Sequence, residues 1–218
     1  MTSPPAVLGE LLASMLNVVS FSWEASPAIT ELEIMVVDQF ARALGLPDVF
    51  QSTGEGGGVV LASASETTLI GMLAARTKAL KHLRQGRAGG ARIFPEQAHS
   101  SIIKVAGIVG LGANLRLVPT ERANGYAMDT HALAEAMRID RARGLMPAFV
   151  AGNVGTTNSC AVDPIRAMGE VCRRYDFLAP WLHIDAAYAG TAAICPENRW
   201  IFDGIDAVDS LGTSPHKG

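Results

Sequence analysis

The chain has 218 residues, 49% of them hydrophobic and 18% charged, with a formal net charge of −3. That balance describes a globular chain with a generous core. No block of Lys or Arg runs together, which argues against nucleic acid or a membrane surface as a partner. Cys160, Cys172 and Cys195 are odd in number and widely spaced, with no Cys-x-x-Cys, so neither a disulfide framework nor a zinc knuckle is indicated. Free thiols fit a cytoplasmic location.

The N-terminus lacks a basic stretch, and Glu10 and Glu24 bracket its apolar run, so no signal peptide is expected. The longest uncharged run, residues 144–162, contains Pro, Asn, Thr and several Gly, which suits no bilayer span. Val7, Leu8, Leu11, Leu12, Met15, Leu16 and Val19 recur at helical spacing and predict a helix over 7–19. Ser26-Pro27 reads as a second helix start. Leu32, Met35, Val36, Phe40 and Leu44 continue that pattern until Gly45 closes it and Pro47 bars its resumption. Two helices before any strand are expected to stand outside the main sheet.

The run 54–58 reads as a flexible glycine loop. It lacks a preceding strand and a Gly-Lys-Ser/Thr ending, so it is neither a dinucleotide fingerprint nor a P-loop. A first strand is predicted at 59–62. Ser63-Ala64-Ser65-Glu66 then makes a tight turn into a long helix whose buried stripe is Leu69, Leu73, Leu80 and Leu83. Lys78, Lys81 and Arg84 suit its C-terminal half. Small residues at such a helix start let backbone N–H groups approach a phosphate. Ordinary capping by Ser65 explains them as well.

Further strands are predicted at 92–95, 115–118, 148–151, 181–185 and 207–211. Helices are predicted after Ser100 or Ser101, from Asp129 through Arg143, and from Asp163-Pro164 to about Tyr175. Residues 86–90 and 196–198 read as surface turns. Alternating strands and helices predict an α/β fold with a largely parallel sheet. Strand-end loops then carry residues 63–65, His99, Thr156, Thr157, Asp185, His216 and Lys217. In an open parallel sheet these ends share one edge, where ligands bind. Asp185, beside Ala186 and Ala187, leaves room for a flat ligand. With Lys217 downstream it suggests pyridoxal phosphate, the carboxylate holding a proton on the pyridine nitrogen and the amine bonding the aldehyde. A solvated strand-end Asp and an unrelated Lys account for the pair equally well.

The stretches FSWEASPAITELE, GEGGGVVLASASETTL, AARTKAL, EQAHSS, GTT, WLHIDAAYAGTAAICPE and DSLGTSPHK occur in that order. Together they resemble the PLP-dependent group II amino acid decarboxylases, most closely those of aromatic L-amino acids (DOPA, tyrosine, tryptophan). WLHIDAAYAG with a downstream Pro-His-Lys is highly specific, whereas GTT alone carries nothing. The resemblance implies the fold-type-I PLP-dependent transferase large domain, which is aspartate-aminotransferase-like, as an incomplete, mainly parallel sheet flanked by helices. Residues 1–50 would be an N-terminal helical segment of the dimerisation region. Residues 51–218 would be the PLP-binding large domain, truncated just after the Schiff-base lysine.

The same resemblance implies a cytoplasmic homodimer that decarboxylates an aromatic L-amino acid to its amine with pyridoxal 5'-phosphate and no metal. Lys217 stands at the position of the Schiff-base lysine and Asp185 at that of the pyridine-nitrogen partner. His99 corresponds to the imidazole stacked on the ring. Ala64 and Ser65 correspond to phosphate contacts, and His216 to a residue beside the phosphate and the lysine. Thr157 and Ala187 match cofactor-pocket positions. Val19 and Phe21 match positions lining the substrate pocket of the neighbouring subunit. His183 is expected either to contact the cofactor or to buttress Asp185.

Some residues depart from the pattern. Ser214 stands where the family usually has Asn, and Gly218 where it usually has Trp. In the family an antiparallel strand that follows the lysine lies between the first and last strands given above, and a loop bearing a Tyr and a small domain come after it. The 218 residues alone are therefore expected not to be catalytically competent. Two alternatives accompany the main expectation. One is an aromatic aldehyde synthase on the same scaffold, against which His99 speaks because some of those enzymes carry Asn there. The other is an inactive truncated fragment or paralogue.

Overall fold

The computed structural model describes residues 3–83, 90–111, 115–175 and 179–217. It divides into two compact units, residues 1–60 and 61–218.

The first unit is helical. Helix α1 runs over Pro4–Leu16, three residues earlier than the apolar spacing predicts. Its ends explain the shift. Ser3 caps it, accepting from the Ala6 N–H at 3.4 Å, and Asn17 stops it in the left-handed conformation. Val19 therefore falls beyond the helix. None of the residues of α1 is buried, and Val7, Leu8, Leu11, Leu12, Met15 and Leu16 are all exposed. Helix α2 spans Pro27–Ala43 and ends at Gly45 with φ 72°, as its glycine predicts. The run 54–58 is exposed and forms a loop, with a turn at residues 54–55. A Cβ on Gly56 would lie 2.0 Å from the Val49 carbonyl oxygen, and one on Gly58 2.2 Å from the Val37 side chain. Glycine is required there for close approach.

Residues 59–62 form no strand, contrary to the pattern. A strand exists through its ladder, and here the donors are taken by carboxylates. Val60 N–H donates to Glu33 at 2.7 Å, and Ala62 N–H to Glu66 at 2.8 Å. The second unit then opens with helix α3, Ala64–Leu83. Its buried stripe is Thr68, Met72, Ala75 and Ala79, whereas Leu73 and Leu80 are each 40% exposed and Leu69 is half-buried. The expected leucine stripe is thus displaced, because small side chains let the helix sit close to the sheet. A Cβ on Gly71 would come within 3.2 Å of both His183 and Ser210. The Leu83 side chain, Arg84 and most of the turn expected at 86–90 lie outside the described residues.

Among the described residues five strands form one parallel sheet: β1 Gly90–Pro95, β2 Leu115–Val118, β3 Met146–Asn153, β4 Trp181–Ala186 and β5 Ser210–Thr213. Their order is β2-β1-β3-β4-β5. Strand β5 starts later than predicted. Residues 205–207 take a 3-10 turn instead, after Gly204 at φ 89°, whose missing Cβ would lie 2.4 Å from the Arg166 Cα. Helices α4 Ser101–Ile108, α5 Thr130–Ala142 and α6 Ile165–Arg173 complete the alternation. Asp129 caps α5 as expected, accepting from His131 N–H at 2.8 Å. The expected surface turn at 196–198 is the start of a 3-10 helix over Pro196–Phe202.

Register assigns the faces. Phe149, Ala151 and Asn153 pair with Trp181, His183 and Asp185 and share one face of the sheet. Helices α3 and α4 cover it, with Met72, Ala75, Ile102, Val105 and Ala106 packed on Phe149 and Ala151. The other face carries Leu182 and Ile184, and Met168 of α6 lies 2.8 Å from where a Gly152 Cβ would stand.

Candidate active site

A cleft of about 310 Å³ lies over the carboxyl ends of β1, β3, β4 and β5. This is the position that an open parallel sheet offers a ligand. Each strand end contributes one part of the lining.

The start of α3 is fixed by a reciprocal capping box. Ser63 Oγ accepts from the Glu66 N–H at 3.4 Å, while the Glu66 carboxylate accepts from the Ala62 and Ser63 N–H groups at 2.8 and 3.3 Å. The cap is therefore Ser63, not Ser65. The S-x-x-E spacing that signals it was present in the sequence. Ala64 and Ser65 occupy the first two helical positions, whose N–H groups have no intrahelical acceptor, and both line the cleft.

After β1 comes His99, exposed at the cleft. Its Nδ1 accepts from the Ser101 N–H at 3.2 Å and lies 2.8 Å from Ser101 Oγ. After β3 the chain turns at Gly155, φ 78°, where a Cβ would overlap the Ala189 methyl at 2.4 Å. Thr156 Oγ1 lies 2.7 Å from Ser159 Oγ and accepts from Ala161 N–H at 3.1 Å, which holds the following Thr157 at the cleft. Asp163, only 2% exposed, anchors this loop. It accepts from Met128 N–H and Asn153 N–H, each at 2.7 Å, and from Asn153 Nδ2 at 3.1 Å. Burial pushes its carboxyl above the ordinary range, and these hydrogen bonds pull it back.

At the end of β4, Asp185 Oδ1 accepts from the Ala187 N–H at 3.0 Å, which sets the carboxylate plane. Two residues earlier on the same face, His183 is 1% exposed. Its Nδ1 lies 2.8 Å from Ser210 Oγ, which accepts from Trp181 Nε1 at 2.7 Å. Its ring stacks on Phe149 with centroids 5.8 Å apart. Nε2 has no partner among the described residues. Burial pulls the His183 pKa down to about 4, with the Asp185 charge opposing. His183 does not line the cleft. After β5, a turn in which the Lys217 N–H donates to the Ser214 carbonyl at 3.1 Å brings Lys217 to the cleft.

The structure thus gathers Ala64, Ser65, His99, Thr157, Asp185, Ala187 and Lys217 around one space. His216 is exposed and is not part of the lining. Val19 and Phe21 belong to the first unit, where both are exposed. Sequence reasoning missed Asn153, Ser101 and Tyr188 as lining residues. For Asn153 the available signal was a polar residue closing an apolar strand. For the other two no separate signal existed.

The fold and this cleft define the large domain of a fold-type-I PLP-dependent protein. The chain belongs to the pyridoxal-dependent decarboxylase family, whose conserved domain matches residues 1–218. It is 44% identical to tryptophan decarboxylase 1 of Oryza sativa subsp. japonica, over 99% of this chain and 43% of that one. It is 42% identical to phenylacetaldehyde synthase of Arabidopsis thaliana, over 99% of this chain and 44% of the relative. The crystal structure of Oryza sativa TDC with PLP and tryptamine superposes with a TM-score of 0.94 at 44% identity, covering 100% of this chain and 45% of that chain. The chain therefore spans less than half the length of these relatives.

Proposed function

We propose that the protein decarboxylates an aromatic L-amino acid to its amine, using pyridoxal 5'-phosphate. The observation that carries this is the meeting of Asp185, His99, Lys217 and the start of α3 in one cleft. The residues present fit the cofactor. Asp185 has one carboxylate oxygen held by Ala187 N–H, and Ala187 adds only a methyl group to the lining. Lys217 has no ion-pair partner among the described residues. Ser65 brings a hydroxyl with no partner among the described residues, beside first-turn N–H groups that a helix cannot satisfy internally.

When bound, the cofactor supplies a ring that accepts the electron pair released with carbon dioxide. Asp185 would hold a proton on the pyridine nitrogen, and its fixed plane keeps that proton in place. Ala64 and Ser65 would donate to the phosphate. Lys217 would hold the cofactor covalently through its amine and return to it after product leaves. His99 would cover the ring, and Thr157 and Ala187 would limit its tilt. His216 is assigned a place beside the phosphate by resemblance alone. Val19 and Phe21 would serve the substrate pocket of the partner in a homodimer, and the exposed apolar residues of α1 support such pairing. A cytoplasmic location is supported by free cysteines, of which buried Cys172 has its thiol pushed up to about 12.

The second reading is an aromatic aldehyde synthase, favoured only by similarity to such enzymes. His99 at the cleft supports the decarboxylase reading. The test uses the full-length protein with pyridoxal phosphate and DOPA, tyrosine or tryptophan. Amine without aldehyde or ammonia is expected, and borohydride reduction should leave the pyridoxyl mass on the Lys217 peptide. Aldehyde as the main product would overturn the decarboxylase reading. A label spread over other lysines would remove Lys217 from its role.

A further inference from the structure

His99 meets Ser101 twice. The Ser101 amide N–H donates to Nδ1 at 3.2 Å, and the Ser101 hydroxyl lies 2.8 Å from the same nitrogen. An amide N–H can only donate, so Nδ1 must offer a lone pair. A neutral imidazole carries a single N–H proton. That proton therefore sits on Nε2, and the hydroxyl must donate to Nδ1 as well.

The arrangement suits the local helix. Ser101 is the first residue of α4 and is 8% exposed. Its N–H is one of the first-turn donors that a helix cannot satisfy internally. The residue placed to cap α4, Ser100, makes no side-chain cap bond. The imidazole of His99 takes that duty, so one contact both closes the helix and orients the ring. Nε2 has no hydrogen-bond partner among the described residues, and the ring lines the same cleft as Asp185 and Lys217.

We propose that Ser101 is a positioning residue: its amide and hydroxyl hold the His99 imidazole in the Nε2–H tautomer. The cleft is thereby offered a hydrogen-bond donor rather than an acceptor. A ligand atom that meets this edge of the ring is then an acceptor, such as a carboxylate or carbonyl oxygen. Only this functional consequence rests on the reading of the cleft as a cofactor and substrate site.

The test is nitrogen-15 NMR of the histidine rings in the full-length protein without cofactor, at a pH where His99 is neutral. His99→Asn identifies the resonance. Wild type should show the long-range proton–nitrogen pattern of an Nε2–H ring. Ser101→Ala keeps the amide and loses the hydroxyl, so Nδ1 loses one of its two donors and the ring nitrogen shifts should move, with the amide left as the weaker hold on the Nε2–H form. Ser101→Thr should restore them. A wild-type proton on Nδ1 overturns the proposal, and so does a Ser101→Ala spectrum identical to wild type. In the cofactor-loaded protein, Ser101→Ala should lower kcat by up to about a hundredfold, with KM less changed. A shifted spectrum with unchanged turnover upholds the tautomer lock and overturns instead the proposed role of His99 in the reaction.

Discussion

Lowering the pH should strip stability from this fold through one residue. His183 is 1% exposed, and burial holds its pKa near 4 against an ordinary value of 6.5. Between those values the unfolded chain binds a proton that the native state refuses. Stability is then complete above pH 6.5, falls as the pH drops through that value, and levels off below about pH 4. At about 1.4 kcal/mol per pH unit, the interval gives about 3 kcal/mol. That is a large share of the total that keeps a domain folded, about 5–15 kcal/mol. The assay is urea unfolding of wild type and His183→Gln at steps from pH 7.5 to 4. Titrating groups that do not interact with His183 contribute alike to both proteins, so the difference reports His183 together with its coupling to Asp185. Wild type should lose about 3 kcal/mol more than the variant across the window. Parallel curves would refute the reasoning and mean that His183 takes up its proton while buried.

Two further predictions concern the cleft. Asp163→Ala leaves three donors from Met128 and Asn153 without their acceptor. It should cost about 3 kcal/mol or more, seen as a lowered midpoint in thermal or urea unfolding; a loss under about 1 kcal/mol would mean that water replaces the carboxylate freely. Asp185→Asn removes the charge that would keep the pyridine proton, so turnover of the loaded full-length protein should fall about a hundredfold or more with the cofactor still partly bound. Near-parental turnover would remove Asp185 from that role.

Local signals with a single cause were legible in the sequence. Gly45 and Asp129 end and begin helices as their backbone chemistry dictates, and the apolar run before Asp185 forms the strand that delivers it to the cleft. The signals that failed depended on partners. Residues 59–62 have strand composition, yet Glu33 and Glu66 claim donors that a ladder would need. Leucines at helical spacing marked a stripe displaced from the buried one of α3: Leu69 packs on the core but Leu73 and Leu80 are exposed, because close packing on β4 and β5 selects Gly71 and alanines. The anchoring of Asn153 by Asp163 joins strand β3 to a loop ten positions later in a geometry no spacing rule encodes. Ser101 was legible only as a possible cap, since its second task needs a ring that reaches forward to it.

The order of the strands also sets a timetable. Among the described residues the lining of the cleft runs from Ser63 to Lys217, with the ends of β1, β3, β4 and β5 contributing in between. No early stretch of the polypeptide can assemble it. As the chain leaves the ribosome, α3 waits with its cleft-facing end formed by purely local bonds while the sheet it will lie on has yet to be made. Loop-closure entropy opposes such long-range docking, and the contacts that offset it form only once the partners exist. Capture of a ligand in this cleft therefore waits until Lys217 has been made, and a nascent chain paused before β5 would leave the β4 edge and the Trp181 indole without their β5 partners rather than offer a binding site.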